Sequence, residues 1–311
     1  MYKQLLVLAT AAFLPLALTH PLEVRQAVAP LSANDTAVVS LALFLEHLEF
    51  HLYSGGFNDF SESDYRAAGF PAGFRDLVGV TAQQESIHAM TLTAILEANN
   101  VTPVPNCTYS FPYKDPKSFV ELANMITTVG IGAYIGGGPF LQDNPNLLTA
   151  ATAILTVEAR HDSFLRAGVS VSPFPTPFDT PLTAEFAYNL ALAFVVSCPT
   201  YLPIPVLPAL ALASPVLPAP TSPPAGTPLT FSFDASTISS TGPLYIAFIN
   251  QVSMPVFEAV VSCGPGCATV PLPPSVGGVV FAVLTDSSGG LSSAQLSLSA
   301  TLAGPVEIVL A

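Results

Sequence analysis

Glu85-Ser-Ile-His88 recurs farther along the chain as Glu158-Ala-Arg-His161. On an α-helix, a spacing of three puts Glu and His on one face, roughly a turn apart. Val78, Leu92 and Ile95 surround the first pair on that face, and Ile154 and Leu165 surround the second. Each pair therefore sits inside an apolar stripe that turns toward a core. An ionised carboxylate buried without a partner costs several kcal/mol. Two such pairs on alternate helices point to a metal-site constellation rather than to chance.

Working outward, the spacing of apolar residues predicts helices over 37–54, 73–98, 116–136, 146–167 and 183–196. Pro116 suits a first helical turn, Asp115 or Ser118 can cap it, and Gly168 suits a helix end. Gly130, Gly132 and Gly136 each weaken the third helix by about 1 kcal/mol against Ala, while permitting close backbone approach. On the first helix, Glu46 and Glu49 lie on the margin of a stripe of Leu41, Leu45, Leu48 and Leu52, and Tyr53 follows Glu46 by seven. His47 and His51 project away from Glu46 and read as an outward-facing or capping pair.

A Glu on the first helix and Glu-x-x-His on the second and fourth resembles the ferritin-like, carboxylate-bridged di-metal bundles. Leu45-Glu-His-Leu-Glu49 with Tyr53, Gly130-Ile-Gly-Ala-Tyr-Ile135 and Val157-Glu-Ala-Arg-His161 resemble a narrower group. That group is the desiccation-related and fungal stress-response or late-sexual-development secreted proteins. The resemblance spans about residues 37–197. It implies a mainly α ferritin-like four-helix bundle with a fifth helix, and a metal site of Glu46, Glu85, His88, Glu158 and His161, with Glu49 as an extra ligand. It also implies an internal repeat of two hairpins, in which the third helix echoes the first. Seven residues before Tyr134, however, stands Thr127 rather than an acid. Glu121, the one acid of that helix, points off the face. The carboxylate count falls to three unless Glu49 substitutes, so at most one tightly held ion is expected. Iron or manganese suits such donors, and a site short of one acid could equally settle for a single zinc or for no metal. Tyr53, Thr127 and Tyr134 are expected around the ligands rather than on the metal.

The rest of the chain describes the setting. Lys3 followed by an apolar run from Leu5 to Leu18 has the length of a signal-peptide core, giving a cleaved segment 1–19. Asn34, Asn100 and Asn106 head glycosylation triplets. Four cysteines suit an oxidising compartment, with Cys107–Cys198 and Cys263–Cys267 the favoured of three pairings. These features predict a protein of the extracellular space or cell wall. No stretch after the leader reads as both apolar enough and long enough to be a transmembrane segment. The chain carries 8 Lys+Arg against 21 Asp+Glu, and its net charge of -13 excludes a nucleic-acid partner. A bundle over 37–198 is followed by a Pro-rich connector over 199–228. Period-two patterns at Leu229–Phe233, Tyr245–Ile249, Val279–Leu284 and Leu296–Ala300 then predict a small antiparallel β-sandwich over 229–311, a separate folding unit without chemistry of its own. Two functions follow. One is a metal-binding protein of stress or development, whose enzymatic activity the residues leave open. The other is a structural or cell-surface glycoprotein with a degraded site.

Overall fold

The computed structural model describes residues 30–215 and 223–310; the leader expected over 1–19 lies outside them. The N-terminal region contains α1 (Ala33–Asp59), the short α2 (Glu62–Ala67), α3 (Phe74–Ala98), α4 (Pro116–Gly137), α5 (Pro145–Gly168) and α6 (Ala184–Leu192). Local chemistry sets the ends. Ser32 accepts from the Asp35 amide while Asp35 accepts from the Ser32 amide, a capping box that starts α1 earlier than the apolar pattern does. Asp115 caps α4 with Pro116 in the first turn, and Asn144 caps α5 with Pro145 behind it. The fifth expected helix stops at Leu192, and Val195–Ser197 becomes strand β2, paired antiparallel with β1 (Thr108–Tyr109). This pairing holds Cys107 and Cys198 at a Cα separation of 4.3 Å, within bonding distance.

The glycines of α4 are explained by the segment that crosses them. Leu182 donates its amide to the Gly132 carbonyl at 2.9 Å, and a Cβ on Gly136 would overlap the Leu182 carbonyl. Together with the turn that follows, Pro116–Leu141 is long and apolar enough to cross a membrane, contrary to the sequence expectation; most of it is buried in this protein. Its apolar character serves the bundle core.

The C-terminal region is a sandwich of two four-stranded antiparallel sheets. One contains β3 (Leu210–Ser214), β4 (Pro228–Phe233), β8 (Cys267–Pro271) and β7 (Val261–Gly264). The other contains β10 (Thr301–Val309), β9 (Val279–Thr285), β5 (Tyr245–Ile249) and β6 (Val256–Ala259). Cys263 and Cys267 pair across the β7–β8 turn. Two expectations are corrected here. Leu296–Ala300 is a helical turn rather than a strand, launched by the Ser292–Gln295 capping box, with Leu296 buried and Leu298 exposed. The connector over 199–228 contains β3, an edge strand between Pro208 and Pro215, a position in a sheet that tolerates flanking residues without an amide donor. Its earlier part is docked on the bundle, with Asn189 bonded to the Pro205 carbonyl and the Leu207 amide.

The two regions also share a core. Ala247, Ile249, Phe281, Val283 and Leu296 pack in one cluster with Leu182, Phe186 and the bundle interior. Thr183, Ser297 and Glu185 link across the junction by hydrogen bonds of 2.8 Å. The sheet of β5 and β9 is apolar on both faces, one toward the partner sheet and one toward the bundle, so the two regions share a continuous interior. Beside this junction Glu307 is 9 % exposed, and its Oε1 lacks a hydrogen-bond partner among the described residues. Burial, with the Asp162 charge second, pushes its carboxyl well above the ordinary 4.5. An acid raised in the fold makes the fold less stable as pH climbs above the unfolded value. Glu307→Gln is therefore expected to match wild type in Tm below about pH 4 and to exceed it increasingly above about pH 6. Thermal melts across that range check this; a constant gap would show that ionisation is not the cause.

Candidate metal centre

Glu46 and Glu49 on α1, Glu85 and His88 on α3, and Glu158 and His161 on α5 are all buried, the four acids at no more than 1 % exposure. The expectation that Glu46 and Glu49 lie on a margin is corrected. α1 is apolar nearly all round and is enclosed by α3, α4 and α6, so its acids are interior. His47 bonds the Val104 carbonyl at 3.2 Å, and His51 packs against Phe50 and Tyr109, so neither joins the cluster.

The two Glu-x-x-His pairs meet at the centre in a crossed arrangement. Glu85 places Oε2 at 3.0 Å from His88 Nδ1 and Oε1 at 2.9 Å from His161 Nδ1. Glu158 places Oε1 at 3.3 Å from His88 Nδ1 and Oε2 at 3.4 Å from His161 Nδ1. Each of these carboxylates thus spans both imidazoles. Glu46 Oε2 lies 3.2 Å from His88 Nδ1. Ligand atoms of Glu46, Glu85, His88 and Glu158 fall within 4.8 Å of one another, close enough to share a cation.

Surrounding groups hold these donors. Tyr134 donates to Glu46 Oε1 at 2.5 Å, and Tyr53 and Thr127 share a hydrogen bond of 2.6 Å. His161 Nε2–H donates to Gln84 Oε1 at 2.7 Å, which aims Nδ1 at the carboxylates. Asn124 and Thr128 on α4 donate to Asp162, next to His161. The sequence reading missed Gln84, Asn124 and Asp162. The available signal for Gln84 and Asp162 was their place beside a Glu-x-x-His residue, and for Asn124 its place one turn before Thr127.

The electrostatics are those of a crowded acid cage. Burial raises Glu46 to about 8, with the Glu85 and Glu158 charges adding to it and His88 opposing. Burial, then the charges of Glu158, Glu85 and Glu46, raises Glu49 well above its ordinary value. Burial also favours neutral Glu85, but hydrogen bonds from His161 and His88 overcome it and pull the carboxyl down to about 2. His161 is raised to about 9: burial opposes its charge, and the hydrogen bonds it donates to Glu158 and Glu85 outweigh burial. Both oxygens of Glu49 lack a hydrogen-bond partner among the described residues, while Glu85 Oε1 and Glu158 Oε1 have an imidazole Nδ1 as their near neighbour. Unpaired buried carboxylate oxygens beside two imidazoles are a donor set that a divalent cation satisfies. The residues fit the metal implied by the fold.

A cavity of about 390 Å³ approaches this cluster between α1, α4, α6 and β10. Leu48, Met125 and Val129 form its bundle wall, Pro305 and Val306 its sandwich wall, and buried Glu49 is among the residues that line it.

Residues 34–170 match the family model described as Ferritin-like domain. The chain is also similar to "Protein rds1" of Schizosaccharomyces pombe, at 33% identity over 174 residues. That match takes in 55% of this chain and 41% of the yeast protein, so the chain spans less than half of its relative's length. The crossed Glu/His pairs and the family match over the same helices agree: the N-terminal half of the chain carries a ferritin-like domain.

Proposed function

We propose that this chain is a secreted ferritin-like glycoprotein that binds a redox-active metal, iron or manganese, in the bundle core. The observation that carries the reading is the pair of spanning carboxylates, Glu85 and Glu158, each with one oxygen directed to each histidine. Bound there, iron or manganese would supply redox chemistry toward oxygen or peroxide. The residues themselves do the rest. Gln84 fixes the His161 tautomer, Tyr134 orients Glu46, and buried Leu45, Leu48 and Ile126 make the cavity beside Glu49 apolar. Secretion is supported by the apolar leader, by two cysteine pairs at bonding distance and by exposed Asn34, Asn100 and Asn106. A role in stress or development rests on the resemblance alone.

Purified protein offered Fe(II), Mn(II) or Zn(II) is expected to retain iron or manganese through desalting, measured by elemental analysis. A ligand held at a hundredfold excess over its Kd adds about 2.7 kcal/mol, or roughly 4 °C in Tm for a chain of this size. The second reading, a structural glycoprotein with a degraded site, is favoured by Thr127 standing where the repeat requires an acid. Protein that retains no metal under any loading condition, with an unmoved Tm, would establish that reading instead.

A further inference from the structure

This inference rests on the metal-binding reading and concerns the half of the centre around His161. His88 has Glu46 beside it; the corresponding acid for His161 should come from α4 at position 127, where Thr stands. The two hairpins correspond position by position. Glu46 and Tyr53 on α1 match Thr127 and Tyr134 on α4, seven residues apart in each case. The side chains keep the correspondence, since Tyr134 bonds Glu46 and Tyr53 bonds Thr127. Three residues beyond Glu46 and Thr127 lie Glu49 and Gly130. This second mismatched pair is complementary to the first: α4 lacks an acid at 127 and a side chain at 130, and α1 carries an additional acid at 49.

The two mismatches meet in space. A Cβ on Gly130 would fall 2.8 Å from Glu49 Oε1 and 3.3 Å from Oε2. The Glu49 carboxylate therefore lies in the recess that Gly130 leaves, one helical turn from Thr127. Tyr53, bonded to Thr127, has its ring 6.2 Å from that of His161, and the recess lies on α4 between Thr127 and Tyr134, where the charges of Glu158, Glu85 and Glu46 all act on Glu49. Glu49 is 1 % exposed and neither oxygen is bonded.

We infer that Glu49 is the displaced fourth carboxylate. The acid missing from α4 is supplied by α1 through the recess at Gly130, and it brings the carboxylates of the centre to four with Glu46, Glu85 and Glu158. Four carboxylates balance two divalent cations, whereas three would leave a buried positive charge uncompensated. The centre accordingly takes two ions.

The test is manganese content per chain, by elemental analysis after loading with Mn(II) and desalting, with circular dichroism and Tm on every protein. Wild type is expected to hold about two ions and Glu49→Gln about one. Gly130→Ala should also hold about one. Ala suits a helix interior better than Gly by about 1 kcal/mol, so the fold survives and the flexible Glu49 carboxylate gives way. The double variant Thr127→Glu/Glu49→Ala, which returns the acid to α4, should recover about two. Two ions in Glu49→Gln would overturn the inference, as would one ion in wild type that Glu49→Gln leaves unchanged. In that second case the metal reading stands, because an ion is still bound. Wild type without any metal sinks both.

Discussion

Glu85→Gln is expected to lose both ions, not one. The substitution keeps the side chain's shape and removes a charge that reaches His88 through one oxygen and His161 through the other. Removing one member of a buried charge set costs about 3–5 kcal/mol, equivalent to between about 10²- and 10⁴-fold in Kd. Because the carboxylate spans the centre, each ion feels that loss. Glu158→Gln should behave alike, while Glu46→Gln should spare the His161 half. Metal content below about 0.2 per chain in Glu85→Gln, against about one in Glu46→Gln, would fit a spanning role. Equal losses would mean that Glu85 is one ligand among equals.

Joint replacement of Cys107 and Cys198 by Ala should be the most destabilising change outside the centre. The pair closes a separation of 91 residues that contains α4, α5 and α6. Restricting an unfolded loop of that length contributes about 4–5 kcal/mol, against about 2 for the four-residue separation of Cys263 and Cys267. Urea melts of the two double variants should show the first far below the second in midpoint. If the two midpoints fall together, loop length is not what sets the contribution, and local packing around Cys107 must be.

The helices were legible because apolar spacing, caps and Pro at the first turn agreed along α3, α4 and α5. The Glu-x-x-His pairs stood out because acids inside an apolar stripe contradict the stripe. The phase of α1 was not legible, since Leu41 to Leu45 are buried on every side and leave no polar face for orientation. β3 and β10 were hidden by the prolines and glycine that accompany them, Pro208, Pro215, Gly304 and Pro305, which ordinarily argue against a strand. The alternation of Leu296 to Ala300 looked like a strand because period two says nothing about the capping box before it. Glu49 and Gly130 are far apart in sequence, and a missing methyl group leaves no pattern that one-dimensional spacing detects.

The near-complete burial of the ligands has a kinetic corollary. All four acids are at or below 1 % exposure, and His88 and His161 are at 8 % and 6 %. Entry or escape of an ion then waits on transient opening of the helices or of the sandwich wall, rather than on the strength of the ligand bonds. Exchange with the surrounding fluid is slow on that account, however weak or strong the equilibrium affinity. An ion bound there would leave at a rate set by the opening of the fold, and Mn(II) offered to the purified protein would enter over a long incubation rather than on mixing.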